Sequence, residues 1–218
     1  MKLTAGALLL DMDGTLLNSD AAVDRVWRRW AAENGEDADA ILPHCHGKQA
    51  HATLAALFPD RDPAKNLEDN ARMLVWETED TDGIVPIPGA PAFMAALTDG
   101  DLPHALVTSA NRALSDARMT AAGLPMPATR VTAESVKKSK PDPEGFLLGA
   151  TELGVDPATC VVFEDSPAGV AAGRAAGMRV VGVGPRAKGE LPDVHVDDLD
   201  EIKVTQLPDG SIQLEFGA

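Results

Sequence analysis

Four times between residues 90 and 183, a stretch with helical spacing gives way to a short apolar run. The helical stretches are 90–99, 111–122, 143–153 and 167–176. The apolar runs are 104–108, 129–132, 160–164 and 178–183. This alternation leaves few architectures open, because short apolar strands joined by helices assemble into a parallel sheet covered on both faces. Residues 3–10 (LTAGALLL) read as one more strand, nearly all apolar, as burial on both faces requires. The first ten residues imitate a secretory leader, but the apolar run stops at Asp11 without a small-residue cleavage site, so it reads as strand.

Between that first strand and residue 86 the pattern is helical. Val23, Val26, Trp27 and Trp30 fall at i, i+3, i+4 and i+7 in a helix over 19–34, with Ser19 or Asp20 as its cap. The two Trp read as a packed helix face. Further helices fit 48–57 and 63–80, and the turn formers of GIVPIPG (83–89) end the block. The tail IKVTQLPDGSIQLEF reads as a β-hairpin turning at Asp209-Gly210. The expected fold is therefore α/β: a doubly wound, Rossmann-like parallel sheet over 1–16 and 86–218, an α-helical insert over 17–85, and a C-terminal hairpin.

Charge narrows the partners. Nineteen Lys and Arg stand against 34 Asp and Glu, a net charge of −15. So acidic a surface repels nucleic acid and anionic lipid, and neither is an expected partner. An anionic substrate must then be held by local donors or by a metal. Cys45 and Cys160 make no disulfide framework. The cytoplasm is the expected compartment, and a monomer the default state.

In a doubly wound sheet, ligands bind at the carboxyl ends of the strands. The first strand ends in Asp11-Met12-Asp13-Gly14-Thr15, the second in Thr108-Ser109, and the fourth in Glu164-Asp165-Ser166. Lys140 precedes Pro141 just before a helix, whereas Lys137 and Lys138 read as surface residues. Each of these alone is commonplace: an Asp at a strand end is more often a cap or turn former. Together they bring two acid pairs, hydroxyls and a lysine to one sheet edge. Close like charges repel unless a cation offsets them, and a hard ion such as Mg²⁺ suits carboxylate oxygens. A nucleophile, a proton donor, phosphate donors and metal ligands in one place make a phosphoryl-transfer site.

DMDGT, the strand end LVTSA, SKP and VVFEDSPAGVAAGRAAG together resemble, in order and spacing, the four motifs of the haloacid dehalogenase-like hydrolase superfamily. The helical insert sits where that superfamily carries its small α-helical cap. HGKQA (46–50), IPGAPAF, AGLPMP, VTAESVKKSKPDP and the tail are similar to bacterial hexose and hexitol phosphatases; glycerol-3-phosphate and 2-deoxyglucose-6-phosphate phosphatases follow closely. The resemblance implies Asp11 as nucleophile, forming an aspartyl-phosphate. It implies Asp13 as the acid that protonates the leaving oxygen and then activates water. Mg²⁺ is implied at Asp11, the Asp13 backbone carbonyl and Asp165, with Glu164 helping directly or from behind. Thr108, Ser109 and Lys140 are implied as phosphate-binding. Gly14 allows the turn after the acids.

Selectivity among small phosphorylated sugars and polyols is expected from the cap. His46, Gly47, Lys48 and Gln49 crowd the start of a cap helix, and Asn18 follows the catalytic loop. A zinc site at His44, Cys45 and His46 lacks a fourth ligand nearby and is set aside. The rival readings are a β-phosphoglucomutase-like enzyme and a non-catalytic sugar-phosphate sensor. Such mutases carry a His and an Arg where this chain has Val23 and Ala50, which favours a hydrolase.

Overall fold

The computed structural model describes residues 1–217. Its centre is a parallel six-stranded sheet built from β2 (Ala7–Leu10), β5 (His104–Val107), β6 (Thr129–Val131), β7 (Cys160–Glu164), β8 (Arg179–Val183) and β9 (Val194–Val196). The strand order is β6-β5-β2-β7-β8-β9, so the chain winds outward from β2 first one way and then the other. Leu8 and Leu10 point to one face and pack with Phe93, Met94 and Leu97 of α5 (Ala90–Asp99) and with Leu114 and Met119 of α6 (Arg112–Ala121). Leu9 points to the other face, against Phe146 and Ala150 of α7 (Glu144–Leu153) and Val170 and Ala172 of α8 (Pro167–Ala175). Full burial of each such Leu contributes about 1.5–3 kcal/mol, and that two-sided burial is why the strands read as unbroken apolar runs.

The first strand is not continuous. Lys2–Ala5 forms β1, and Gly6 interrupts it, donating its N–H to the Thr159 carbonyl at 2.9 Å. A side chain at Gly6 would collide with Thr159 and Val155, so the chain bends there. β1 leaves the parallel sheet and pairs with the C-terminal hairpin of β10 (Ile202–Gln206) and β11 (Ile212–Phe216) in the order β1-β11-β10. The short α9 (Gly184–Lys188) and β9 were not anticipated from the sequence.

The insert folds as helices α1 (Asp20–Asn34), α2 (Ala38–Ile41), α3 (Ala50–Leu57) and α4 (Pro63–Glu79). Val23, Val26, Trp27 and Trp30 meet Leu54 and Met73 in a separate apolar cluster, as the helical spacing predicts. Trp30 donates its indole N–H to Asp69 at 2.8 Å, which satisfies a buried polar atom. Of the two cap residues expected for α1, the structure has Ser19. Ser19 occupies the cap position without a side-chain bond, and Asn18 Oδ1 accepts the Asp20 N–H instead. The two connecting segments pair with each other as β3 (Leu17–Asn18) and β4 (Val85–Pro86), in antiparallel register.

Candidate active site

Register decides which side chains meet. Leu10 lies level with Leu106 on one side and Phe163 on the other. One to two residues further, the carboxyl ends of β2, β5 and β7 bring Asp11, Thr108 and Glu164-Asp165 together. Lys140 arrives from the loop after β6. Its Nζ donates to Asp11 Oδ1 at 2.6 Å, to Glu164 Oε1 at 2.7 Å and to the Val107 carbonyl at 3.0 Å. Three acceptors saturate an ammonium. Burial alone would lower this lysine, but Asp11 and Glu164 outweigh it and hold it above the ordinary value. Lys137 and Lys138 are exposed.

Glu164 is wholly buried. Its second oxygen accepts the backbone N–H groups of Asp165 and Ser166 at 2.9 Å each and the Ser166 hydroxyl at 3.0 Å. The helix above lies close: a Cβ at Gly169 would sit 1.7 Å from Glu164 Oε1. Ser166 caps that helix, its Oγ accepting the Gly169 N–H at 3.1 Å.

Asp165 has a different environment. Arg186, from α9, donates Nε to its Oδ2 at 2.8 Å and Nη1 to both oxygens of Asp20 at 3.0 Å. Asp165 Oδ1 is buried and has no hydrogen-bond partner. Burial and the Glu164 charge push Asp165 up to about 7. Burial first, then the Glu164 charge, also hold Asp11 well above the usual carboxylate range. Asp11, Glu164 and Asp165 each offer an oxygen, all within 4.8 Å of one another. Three buried carboxylates against Lys140 and Arg186 leave one surplus negative charge. That surplus, the orphaned Asp165 oxygen and the all-oxygen donor set fit a hard divalent cation.

Asp13 lies on a tightly wound loop in which the Leu16 and Leu17 N–H groups both donate to the Met12 carbonyl, at 2.9 and 3.1 Å. Gly14 has φ +88°, and a Cβ there would meet Asp165 Oδ2 at 2.2 Å, so only glycine serves both the turn and the contact. Arg118 Nη1 stands 2.9 Å from Asp13 Oδ1, and Arg118 Nη2 stands 3.7 Å from Glu77 Oε2 in α4.

One cavity unites these parts. Asp11, Asp13, Thr108 and Ser109 line it from the sheet side, and His46, Gly47, Lys48 and Gln49 line it from the insert. Val23 and Ala50 line it too. Thr108 Oγ1 accepts the Ala110 N–H at 3.0 Å, and Ser109 Oγ donates to the Gly47 carbonyl at 3.4 Å. His46 Nδ1 lies 3.5 Å from Asp20. Burial, then Arg186, lowers its pKa. Asn18 is not part of this cavity. It accepts the Asp20 N–H at the start of α1 and lines a neighbouring cleft with Asp197 and Asp198. His44 is exposed, and Cys45 donates to the Ile41 carbonyl at 3.3 Å, so no zinc-like constellation forms there.

Three further residues at the site stand outside the sequence motifs: Arg118, Glu77 and Arg186. A signal existed for the first. Arg118 falls four residues after Leu114, on the apolar stripe of its helix, where a solvated Arg does not belong.

A doubly wound sheet with a buried acidic cluster that could hold a cation at its switch point, covered by a helical insert, defines the class. The family model described as haloacid dehalogenase-like hydrolase matches residues 6–177, and the chain belongs to that family. It is 40% identical over 212 residues to hexitol phosphatase A of Escherichia coli (strain K12), covering 95% of this chain and 97% of that one. It is 32% identical to glycerol-1-phosphate phosphohydrolase 2 of Saccharomyces cerevisiae, covering 84% and 76%. A crystal structure of a hydrolase from Pseudomonas syringae superimposes with a TM-score of 0.80 at 22% identity, covering 88% of this chain and 94% of that one. Among the described residues, no helix is long and apolar enough to cross a membrane.

Proposed function

We propose that the chain is a Mg²⁺-dependent phosphatase of small sugar or sugar-alcohol phosphates, working in the cytoplasm through an aspartyl-phosphate on Asp11. The convergence of Asp11, Asp13 and Thr108 on one covered cavity, with Lys140 bonded to Asp11 behind it, carries this reading. The names of its relatives supply the substrate class. Residues 1–16 and 86–218 form the catalytic core of this reading, and 17–85 the cap.

Asp11 attacks phosphorus and the leaving sugar oxygen departs with a proton from Asp13. Asp13 then takes a proton from water as it attacks the acyl-phosphate. Lys140 neutralises Asp11 and the incoming phosphoryl oxygens as a fixed point charge. Thr108 and Ser109 hold those oxygens. Asp11, the Asp13 carbonyl and Asp165 would hold the metal, which supplies charge neutralisation at the phosphoryl group. Glu164 already accepts from Lys140, two N–H groups and a hydroxyl. It acts through Lys140 and the loop rather than as a direct ligand. His46, Lys48 and Gln49 contact the sugar. Val23 and Ala50 keep the cavity wall free of the His and Arg that the mutase reading needs.

The test is Mg²⁺-dependent phosphate release from mannitol 1-phosphate, sorbitol 6-phosphate, fructose 1-phosphate, glucose 6-phosphate, 2-deoxyglucose 6-phosphate, glycerol 3-phosphate and β-glucose 1-phosphate. Catalytic release from one or a few supports the proposal. Conversion of β-glucose 1-phosphate to glucose 6-phosphate without release would replace it by the mutase.

A further inference from the structure

The cavity has a second polar wall that the phosphoryl chemistry does not use. Arg118 is 4% exposed, yet its Nε and Nη2 donate to nothing. An N–H buried without an acceptor costs free energy, and native proteins keep few of them. Glu77 faces the same guanidinium from the insert at 3.7 Å, beyond hydrogen-bond reach. A structural ion pair would close that gap. Here the pair stays open, with both residues lining the cavity that holds Asp11 and Thr108. Glu77 balances Arg118 on this wall, because Asp13 enters the reaction holding the proton it gives to the leaving oxygen. A second phosphate or a carboxylate on the leaving group meets the Glu77 carboxylate, whereas a hydroxyl both donates to Glu77 and accepts from Arg118.

We infer that Glu77 and Arg118 are a hydroxyl-reading clamp that selects a neutral, polyhydroxylated leaving group over an anionic one. Arg118 donates from Nε and Nη2 to hydroxyl oxygens of the leaving group, and Glu77 accepts hydroxyl hydrogens. The inference rests on the phosphatase reading and adds the rule by which that site chooses. Arg118 also fixes Asp13, so Glu77 is the cleaner residue to change.

The experiment compares kcat/KM on three probes: sorbitol 6-phosphate, 2-phosphoglycolate (anionic leaving group) and p-nitrophenyl phosphate (no aliphatic hydroxyl). Glu77→Gln should lower the sorbitol 6-phosphate to p-nitrophenyl phosphate ratio at least tenfold. It should raise the phosphoglycolate to sorbitol 6-phosphate ratio at least tenfold. Glu79→Gln, exposed on the same helix, should change neither ratio. Arg118→Lys keeps the charge beside Asp13 but loses the planar fork, and should lower the first ratio as well; it decides the matter if Glu77→Gln fails to fold. A parallel change on all three probes overturns the clamp and leaves the phosphatase standing. A wild type that hydrolyses none of them overturns the phosphatase reading itself.

Discussion

Lys137, Lys138 and Lys140 lie close together in the chain, yet only Lys140 is buried, and it alone reaches Asp11 and Glu164. The difference lies in what meets each ammonium. Lys140→Ala should lower kcat/KM roughly 10²–10³-fold, the scale seen when one fixed transition-state donor is removed. Lys138→Ala should stay within about twofold of wild type. Equal losses in steady-state assays would mean that the wrong lysine has been named. Asp11→Asn should abolish turnover without loss of thermal stability, because Asp11 sits beside two other buried carboxylates and its charge is a burden to the fold. A melting temperature well below wild type would contradict that electrostatic account. The motif residues were legible because each stands next to a strand end or a proline. Glu77 and Arg186 were not, and for Arg118 only its place on an apolar stripe was legible: their partners are distant in sequence, and only packing reveals that they meet.

At the scale of elements, helix α8 shows how local sequence serves the site. Ser166 caps it, and Gly169 lets its first turn press against Glu164. Gly169→Ala should therefore do two things at once. It should destabilise the fold by about 1–3 kcal/mol through overpacking, and it should cut activity by dislodging Glu164 from Lys140. Gly189→Ala, with open space around it, should do neither; urea midpoints and phosphate release measure both. Helices and strands with a full stripe or an unbroken apolar run were readable to within a residue or two. The break at Gly6 was hidden inside such a run, and β9 is only three residues long and follows a Gly-Pro stretch, too short to show a period.

At the scale of the whole molecule, the helical insert was visible as a missing strand pattern, but which of its residues reach the cavity was not. His46 through Gln49 do; Asn18, nearer Asp11 and Asp13 in sequence, does not. The cluster beneath the insert sets the last expectation. Folding buries three carboxylates with one negative charge in excess of Lys140 and Arg186, a cost borne by the entire fold. A cation that binds only the folded state returns that cost. At a Mg²⁺ concentration about a hundred times Kd the gain is about 2.7 kcal/mol, which for a domain of this size raises the melting temperature by roughly 5–10 °C. Protons compete for the same oxygens. Burial and Glu164 hold Asp165 up to about 7 in the metal-free chain, whereas an unfolded Asp releases its proton near ~4. Between those values the folded state binds the extra proton, so metal-free stability falls as pH rises through that window. The Mg²⁺-induced shift should accordingly be larger at pH 8 than at pH 6, and Asp165→Asn should remove most of it at both. A shift equal at the two pH values, or one that survives Asp165→Asn, would locate the cation somewhere other than this cluster.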